Sequence, residues 1–526
     1  MGRYVLKRLL HGVVSIILVV FIVMLLVYGL MNRDLVFAKD ANFGKQTNNN
    51  RRTYMLQQWE LFGYVDYVPY ADYMLMLRQE GEIDEETRAE AVKLGRDADG
   101  SKDSELAAQY IEQFTEYYES KGYTVERLGA VLSRGKIAPG GQPALFAHKD
   151  NSLLERLWTY FTNLIQVDNI HYVPEYNDIG ERGLTFTLHD PLYGGDQFSP
   201  AIMGNGTKHK YLLYFDNRFP YIHQNLATVN LGVSFSISRG VDVFTTMTQS
   251  QGSWVQSAIT YPTGLSEMSA DDLHTATYIA GSRDTSEMLQ ARFTDDYTSV
   301  MTVRGSYSRL GYSFLIGIIA SMVTYILGLP IGVLMARFKE GLFDKIGTVY
   351  IMFISAVPSL AYIFLFRGIG SAIGLPTMFD MDNVKKAMYL LPIISLALPS
   401  VASMMKWMRR YMIDQMNSDY VKFARSGGMS ETEIFFKHVM KVAAIPIVQG
   451  IPGTLLFAMT GALITERVYL VPGAGGLLID AINQYDNSVI VGVTLFYAVL
   501  SVLALILGDV MMAMVDPRIS FTNKAR

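Results

Sequence analysis

The sequence predicts an α-helical polytopic membrane protein with six transmembrane helices and a mixed α+β extracellular domain between the first and second helices. Six apolar runs of about 19 residues or more contain no Asp, Glu, Lys or Arg, and roughly 20 such residues cross the ~30 Å hydrocarbon core. The runs lack the alternation of barrel strands, so helices are the form that satisfies the backbone in lipid. A polar segment, residues 32–308, follows the first run. The runs are Leu9–Met31, Leu310–Ala336, Ile346–Phe366, Ala387–Met405, Val442–Ile464 and Val489–Leu507.

Basic residues indicate the orientation of the helices. Sixteen lie at chain ends and loops on one side of the predicted bundle, against five at the short loops and helix ends of the other side. The positive-inside rule then places both termini in the cytoplasm and the long insert outside the cell. The richer side carries Arg3, Lys7, Arg8, Arg337, Lys339, Lys345, seven residues from Lys406 to Lys441, Arg518, Lys524 and Arg526.

The predicted domains follow from these runs. Residues 1–31 form the cytoplasmic N-terminus and first helix. The apolar stretch is too long for a typical signal-peptide core and no small-residue cleavage site follows it, so we expect it to be retained. Residues 32–308 form the insert. Residues 309–526 form a core with helices 2–6 and a cytoplasmic loop, residues 406–441.

The insert is acidic and must build its own core. It holds 24 Lys and Arg against 36 Asp and Glu, and the whole chain contains no cysteine, so disulfides cannot hold it. Apolar spacing predicts helices over Thr53–Gln166, including Ile83–Leu94 and Leu106–Tyr118. From Gly183 onward, short β-branched runs between turn residues predict strands. The candidate strands are Leu184–Leu188, Lys210–Phe215 and Val229–Ser238.

Tyrosines cluster in the helical half of the insert. Such a surface could bind a partner, but the core side of ordinary helices is the favoured interpretation. The tyrosines are Tyr64, Tyr67, Tyr70, Tyr73, Tyr117 and Tyr118.

The chain lacks the motifs of several function classes. It has no Gly-x-x-x-x-Gly-Lys-Ser/Thr phosphate loop and no His-Glu-x-x-His, so we expect no ATP site, catalytic residue or metal site of its own. Asp509, near the end of the last helix, could be functional or could simply reach water or pair with a basic residue.

The basic loop between the fourth and fifth runs is the most informative segment. Asp419 could cap a short helix that ends at the Gly427-Gly428 pair. Ser430 then caps a second helix, with Glu433 at its third position as in a capping box. A stiff amphipathic helix across one end of a bundle can transmit force to a docked partner, which a disordered loop cannot.

This loop resembles that of permease subunits of ATP-binding-cassette (ABC) importers, and specifically of the dipeptide/oligopeptide branch. The matching residues are Asp419, Tyr420, Ala424, Arg425, Gly428 and Pro446. Four other segments look like the B-type permease of that branch, one of the two unlike permeases in each importer. These segments are Tyr4–Leu10, Arg409, Glu466–Leu477 and Asp516–Ile519. The insert is much longer than the usual first external loop of the family.

The resemblance implies a function and a set of partners. The chain would be the membrane-spanning permease of an oligopeptide importer in a bacterial cell membrane, working by alternating access. Its partners would be a second unlike permease, two cytoplasmic cassette ATPases that bind ATP and Mg²⁺, an extracellular peptide-binding lipoprotein and the peptide; no nucleic acid is expected. The loop would be a coupling helix with ATPase contacts at Asp419, Tyr420, Lys422, Ala424, Arg425 and Gly428.

Three alternatives remain at this point. A receptor or mechanotransmitting protein would place a large external domain between its first two helices and transport nothing. A membrane-anchored enzyme would need a catalytic constellation in the insert. An ion-driven transporter would more often carry ionisable residues at mid-membrane, and these runs carry none.

Overall fold

The computed structural model describes residues 2–95, 105–167, 183–189, 196–205, 207, 211–215, 220–222, 227–249, 251–252, 254–255, 257–260, 266–269, 302–303, 307–381, 383–459 and 463–515. The motif segment Asp516–Ile519 lies outside these residues.

The first apolar run forms a single helix. Helix α1 spans Gly2–Met24 and continues as a π-helix over Leu25–Leu30. Its apolar surface is mostly exposed, while Val20, Met24 and Val27 are buried. This helix is therefore long and apolar enough to cross a membrane.

The first half of the insert combines helices with a three-stranded sheet. The helices Glu85–Gly95 and Glu105–Ser120 match the two predicted segments to within two residues at each end. The antiparallel sheet, in which Ala144–Asp150 is the central strand, was not expected from the sequence. The elements are α2 Asn48–Leu61, β1 Val65–Pro69, α3 Tyr70–Gln79, α4 Glu85–Gly95, α5 Glu105–Ser120, β2 Thr124–Leu128, β3 Leu132–Ser133, β4 Lys136–Ile137, β5 Ala144–Asp150 and α6 Leu153–Thr162, with 3-10 turns at Arg33–Phe37 and Phe43–Lys45.

The tyrosine cluster lies mainly in the core. Tyr73 and Tyr118 are buried and pack around Phe114 of α5, which is fully buried; Tyr73 lies edge-on to its ring and Tyr118 is tilted against it. Tyr64, Tyr67 and Tyr70 are also buried and Tyr117 is partly so. Aromatic burial of this kind supplies the apolar area that a cysteine-free domain needs.

The second half of the insert is built from short strands. Two predicted strands are present, as Gly183–Thr187 and Tyr211–Phe215. The Val229–Ser238 prediction was wrong, because residues 234–237 instead surround the carboxylate of Asp486. The elements are β6 Ile165–Val167, β7 Gly183–Thr187, β8 Ala201–Asn205, β9 Tyr211–Phe215, β10 Pro220–Ile222, β11 Ala227–Val229, α7 Val243–Thr248, β12 Trp254–Val255, β13 Ser257–Thr260, β14 Ser266–Ser269 and β15 Thr302–Val303. Strands β10-β9-β8-β7 form one sheet, and β11-β6, β12-β15 and β13-β14 form pairs.

The remaining apolar runs form the helical core. Its elements are α8 Arg309–Arg337, α9 Leu342–Ala356, α10 Ser359–Ala372, a 3-10 turn Lys386–Tyr389, α11 Leu390–Met416, α12 Asp419–Ser426, α13 Glu431–Glu433, a π-helix Ile434–Val439, α14 Met440–Ala443, α15 Ile445–Met459, α16 Leu463–Tyr469, α17 Ala474–Asn483 and α18 Asn487–Val515.

Two of the six predicted spans are bent. The third run breaks at Val357-Pro358, where α9 and α10 meet at 109°, and the fifth bends by 44° between Ala443 and Ile445. The proline ring disfavours helical backbone angles at the residue before it, and Val357, which precedes Pro358, is extended. Within the described residues, four helices can cross a membrane, or six if each bent pair is one span.

Helices α8 and α11 pack closely through glycine. A Cβ atom on Gly328 would lie 2.7 Å from Met404 Cβ, and one on Gly332 would lie 2.9 Å from Met408 Cβ. Small residues allow this approach.

The insert is fastened to the core by a buried carboxylate. Asp486, in the turn before α18, is fully buried. Its Oδ2 accepts hydrogen bonds from Ser234 Oγ at 2.7 Å and from the backbone N–H groups of residues 235, 236 and 237 at 3.0, 3.0 and 3.2 Å. Next to it, Asn487 donates to the hydroxyl of Tyr64 at 2.7 Å. The insert and α18 thus share one polar junction.

Replacing Asp486 with alanine is expected to loosen this junction. The change leaves several buried donors without an acceptor, at about 1–3 kcal/mol for each unsatisfied group. We expect a lower thermal midpoint and faster protease cleavage between insert and core. Asp72→Ala, at an exposed carboxylate on α3, is the matched control. Equal behaviour of the two variants would contradict the assignment.

Candidate functional site

The short helix predicted between the fourth and fifth runs is present as α12. Ser418, rather than Asp419, occupies the N-cap position, so that detail of the prediction was wrong; its hydroxyl donates to the carbonyl of Gln415 at the end of α11. Asp419 is the first helical residue and its carboxylate accepts from Lys422 Nζ at 2.9 Å. The helix ends, as expected, at the glycine pair.

One face of α12 is held by the body of the protein. Val421 is buried in a cluster with Met412 of α11 and with Ile434 and Phe435 of the following π-helix. The Tyr420 hydroxyl donates to Gln415 Oε1 at 3.2 Å. Ala424 is half-buried on the same side. Tyr420 and Ala424, two predicted interface residues, therefore position the helix.

The opposite face of α12 points outward. Asp419, Lys422 and Arg425, three of the residues predicted to contact the ATPase, are exposed. Phe423 is 81% exposed and was missed in the sequence prediction. Its position was available from helical geometry, since residues two apart lie about 200° apart around the axis and Val421 is an apolar core residue. The face presents a single large apolar side chain among charges.

The corner after α12 is a Schellman motif. Gly428 has φ +84, the Met429 N–H donates to the Ala424 carbonyl at 3.3 Å and the Gly428 N–H to that of Arg425 at 3.1 Å. This is the hydrogen-bond pattern that a left-handed residue after a helix creates. It turns the chain directly into the next helix.

Charged side chains reinforce the corner. Ser430 caps the second helix by accepting from the N–H of Glu433 at 3.3 Å, as predicted. Glu433 pairs with Lys437 at 2.6 Å. Arg425 pairs with Glu431, and its hydrogen bonds to that carboxylate raise the pKa of the guanidinium.

Gly428→Ala is expected to strain this corner. A Cβ there would meet no atom within 4 Å, so the cost is conformational, about 1–2 kcal/mol for a left-handed L-residue. Gly427→Ala is the control, because Gly427 has φ −75. We expect a lower thermal midpoint for the first variant alone; the assignment fails if both variants unfold at the same temperature.

A bidentate ion pair braces the helices beside α12. Arg409 Nε lies 2.6 Å from Asp344 Oδ1 and Arg409 Nη2 lies 2.7 Å from Oδ2. Asp344 is buried and also accepts from the Glu340 N–H at 2.9 Å. The pair joins the start of α9 to α11, about two turns before α11 ends at Met416.

At the end of the core away from α12, the carboxylate of Glu466 is also buried. Glu466, on α16, accepts from Ser313 Oγ of α8 at 2.6 Å and from the Gly476 N–H of α17 at 3.1 Å. Any side chain on Gly473 would collide with this carboxylate. The Glu466–Leu477 motif thus joins α8, α16 and α17 by hydrogen bonds at the end of the core nearest the insert.

Asp509 has a charged partner. Its carboxylate lies 3.0 Å from Arg8 Nη2 of α1, which supports pairing with a basic residue. Beside it, a cavity of about 480 Å³ lies between α15 and α18. It is lined by Pro446, Gln449, Gly450, Gly453, Leu456, Leu500, Ser501, Ala504, Leu505, Gly508 and Asp509. Among the described residues, no group of three or more His, Asp or Glu side chains could hold a metal ion.

Comparison with known proteins identifies the family. Residues 328–521 match the family model "Binding-protein-dependent transport system inner membrane component". The oligopeptide transport system permease protein AmiC of Streptococcus pneumoniae is 33% identical over 530 residues, covering 100% of this chain and 99% of AmiC. The dipeptide transport system permease protein DppB of Lactococcus lactis is 30% identical over 230 residues, covering 42% of this chain and 73% of DppB. A chain of the MetNI methionine ABC transporter matches with a TM-score of 0.32 and 15% identity, over 40% of this chain and 94% of that chain.

The class is therefore that of helical, multi-pass membrane permeases, and the receptor alternative has no support among these relatives. The chain belongs to the dipeptide/oligopeptide branch of the ABC importer permeases. In such systems ATP is hydrolysed by separate subunits.

Proposed function

We propose that this chain is one of two unlike permeases of an oligopeptide importer and that α12 couples it to the ATPases. The observation that carries the proposal is the two-faced seating of α12. One face packs against α11 and the π-helix through Val421 and Tyr420. The other face is exposed and carries Phe423 with Lys422 and Arg425. A partner that moves the exposed face also moves the helices to which the other face is fixed.

The proposed substrate is an oligopeptide. AmiC carries the words oligopeptide transport in its name, and its alignment with this chain extends through the insert. The peptide is moved across the membrane by alternating access. ATP and Mg²⁺ are bound by two cytoplasmic cassette ATPases, and a lipid-anchored extracellular protein delivers the peptide.

The proposed topology has six spans in a bacterial cell membrane, with both termini inside. Two contacts support it. Arg8 of α1 meets Asp509 near the end of α18, on the side where α8 and α11 reach α12. Met24 and Val27 share a buried cluster with the insert residue Leu231. The N-terminus and α12 therefore lie at one end of the bundle, and the insert at the other. In this topology residues 1–31, 32–308 and 309–526 are the three domains, with the loop 406–441 inside the cell.

The insert is proposed to dock or orient the peptide-binding protein. Its junction at Asp486 fixes it to α18, so a protein held by the insert sits at a fixed position above the core. Surface charge on the insert can be reversed without disturbing this junction. Such variants are expected to weaken capture of the binding protein, measured by pull-down; capture equal to the unaltered chain would discard the docking role.

Affinity purification tests the assembly. The full-length chain, tagged at one terminus and extracted from its native membranes, is expected to bring down a second permease and two cassette ATPases in stoichiometric amounts. A chain that purifies alone under mild detergent, while its insert remains folded, would contradict the proposal.

A further inference from the structure

Helix α6 of the insert has a buried apolar face and, beside it, an exposed apolar face. Leu157 is buried in a cluster with Val20 and Met24 of α1 and Val27 of the π-helix that follows it. On the outward face, Leu154 is 72% exposed and Trp158 is 74% exposed. Residues four apart share one side of a helix, so these two form a continuous apolar ridge.

The ridge lies at the height of the end of a membrane-spanning helix. Helix α6 contacts the π-helix Leu25–Leu30 that completes α1. At this level Leu25 and Leu26 are themselves exposed, and the segment Leu6–Gly29 has a mean hydropathy of 3.0. Two helices in contact at this level therefore both carry exposed apolar residues.

The strand pair that follows α6 also carries exposed apolar residues. Ile165 of β6 and Val229 of β11 are direct cross-strand partners and both are exposed. The flank of the helix is polar, with Glu155 closing the N-terminal capping box with Ser152 and Thr162 exposed. An apolar ridge with a polar flank is typical of helices that lie in a membrane interface.

We propose that α6 lies in the headgroup region of the leaflet on the insert's side of the membrane, with Leu154 and Trp158 entering the acyl-chain boundary. The occupant of the ridge is lipid. Tryptophan favours this depth because its ring is apolar while its indole N–H can reach the headgroups. The contact holds the insert against the bilayer, in addition to its attachment to α18.

Site-directed spin labelling in full-length protein tests this proposal. The chain contains no cysteine, so Leu154→Cys, Trp158→Cys and Leu132→Cys each give a single labelling site. Leu132, on the β3–β4 hairpin, is also exposed and serves as the control. In liposomes we expect the labels at 154 and 158 to collide more with oxygen than with a soluble nickel chelate, and the label at 132 to show the reverse.

Two results would overturn the proposal. Nickel access at 154 and 158 equal to that at 132 would place the ridge in water. Labels shielded from both oxygen and nickel would show that protein, rather than lipid, covers it. Quenching by brominated lipids gives a second measurement on nearly native protein. The fluorescence of the unaltered chain should be quenched more than that of Trp158→Phe, and identical quenching in the two proteins would contradict lipid contact.

Discussion

Phe423→Ala is expected to uncouple ATP hydrolysis from peptide uptake while leaving the permease folded. The side chain is 81% exposed, so its loss removes little from the core. At an interface, truncating a central aromatic anchor costs about 2–4 kcal/mol, which weakens docking by roughly 30- to 700-fold. Uptake of a labelled peptide and ATPase stimulation, measured in proteoliposomes containing the full importer, report this loss.

Phe338→Ala is the matched control for this variant. Phe338 is an exposed phenylalanine at the end of α8, outside α12. We expect it to retain uptake. A cysteine at position 423 should also cross-link to an ATPase subunit, since the permease has no native thiol to compete. Normal uptake by Phe423→Ala, with no cross-link at 423, would remove α12 from the mechanism.

Arg409→Ala is expected to be strongly destabilising. Asp344 is buried and bonded at both oxygens by this guanidinium. Removing one partner of a buried pair strands the other charge, at a cost of about 3–5 kcal/mol. Arg409→Lys should recover only part of the loss, because an ammonium cannot make the bidentate contact. Thermal unfolding in detergent, followed by circular dichroism, measures the difference.

The adjacent residue provides the control. Arg410 pairs with Asp414 at 3.9 Å with both side chains largely exposed, an arrangement worth about 0–1 kcal/mol. Arg410→Ala should unfold close to the unaltered protein. If Arg409→Ala and Arg410→Ala shift the midpoint equally, the buried pair contributes no more than a surface pair and the interpretation is wrong.

Local signals made the candidate site predictable. The glycine pair after Ser426 and the serine at 430 mark helix boundaries through backbone geometry that depends on a few neighbouring residues, and both boundaries are present in the structure. The membrane class followed equally from local composition. The outward position of Phe423 also follows from the sequence, because a residue two positions after the buried Val421 lies on the other side of the helix.

Contacts between distant residues were not predictable. The Asp486 junction joins residues about 250 positions apart, and no single-sequence pattern links them. Prolines show the same limit within helices. Pro330 and Pro399 remain inside continuous helices, whereas Pro358 marks a 109° break. Each proline removes one backbone hydrogen bond from its helix. Whether the helix continues depends on whether neighbouring groups satisfy the carbonyl that is left free.

The glycine contacts between α8 and α11 have a mechanical consequence. Because a Cβ atom on Gly328 or Gly332 would collide with α11, the two helices keep their close contact only while both positions are glycine. Val333 and Ala336 of α8 and Met412 of α11 share the buried cluster that holds Val421. A displacement of Phe423 by a docked partner is therefore expected to reach both helices at once through this cluster, and a larger residue at Gly328 or Gly332 would separate the two helices that receive it.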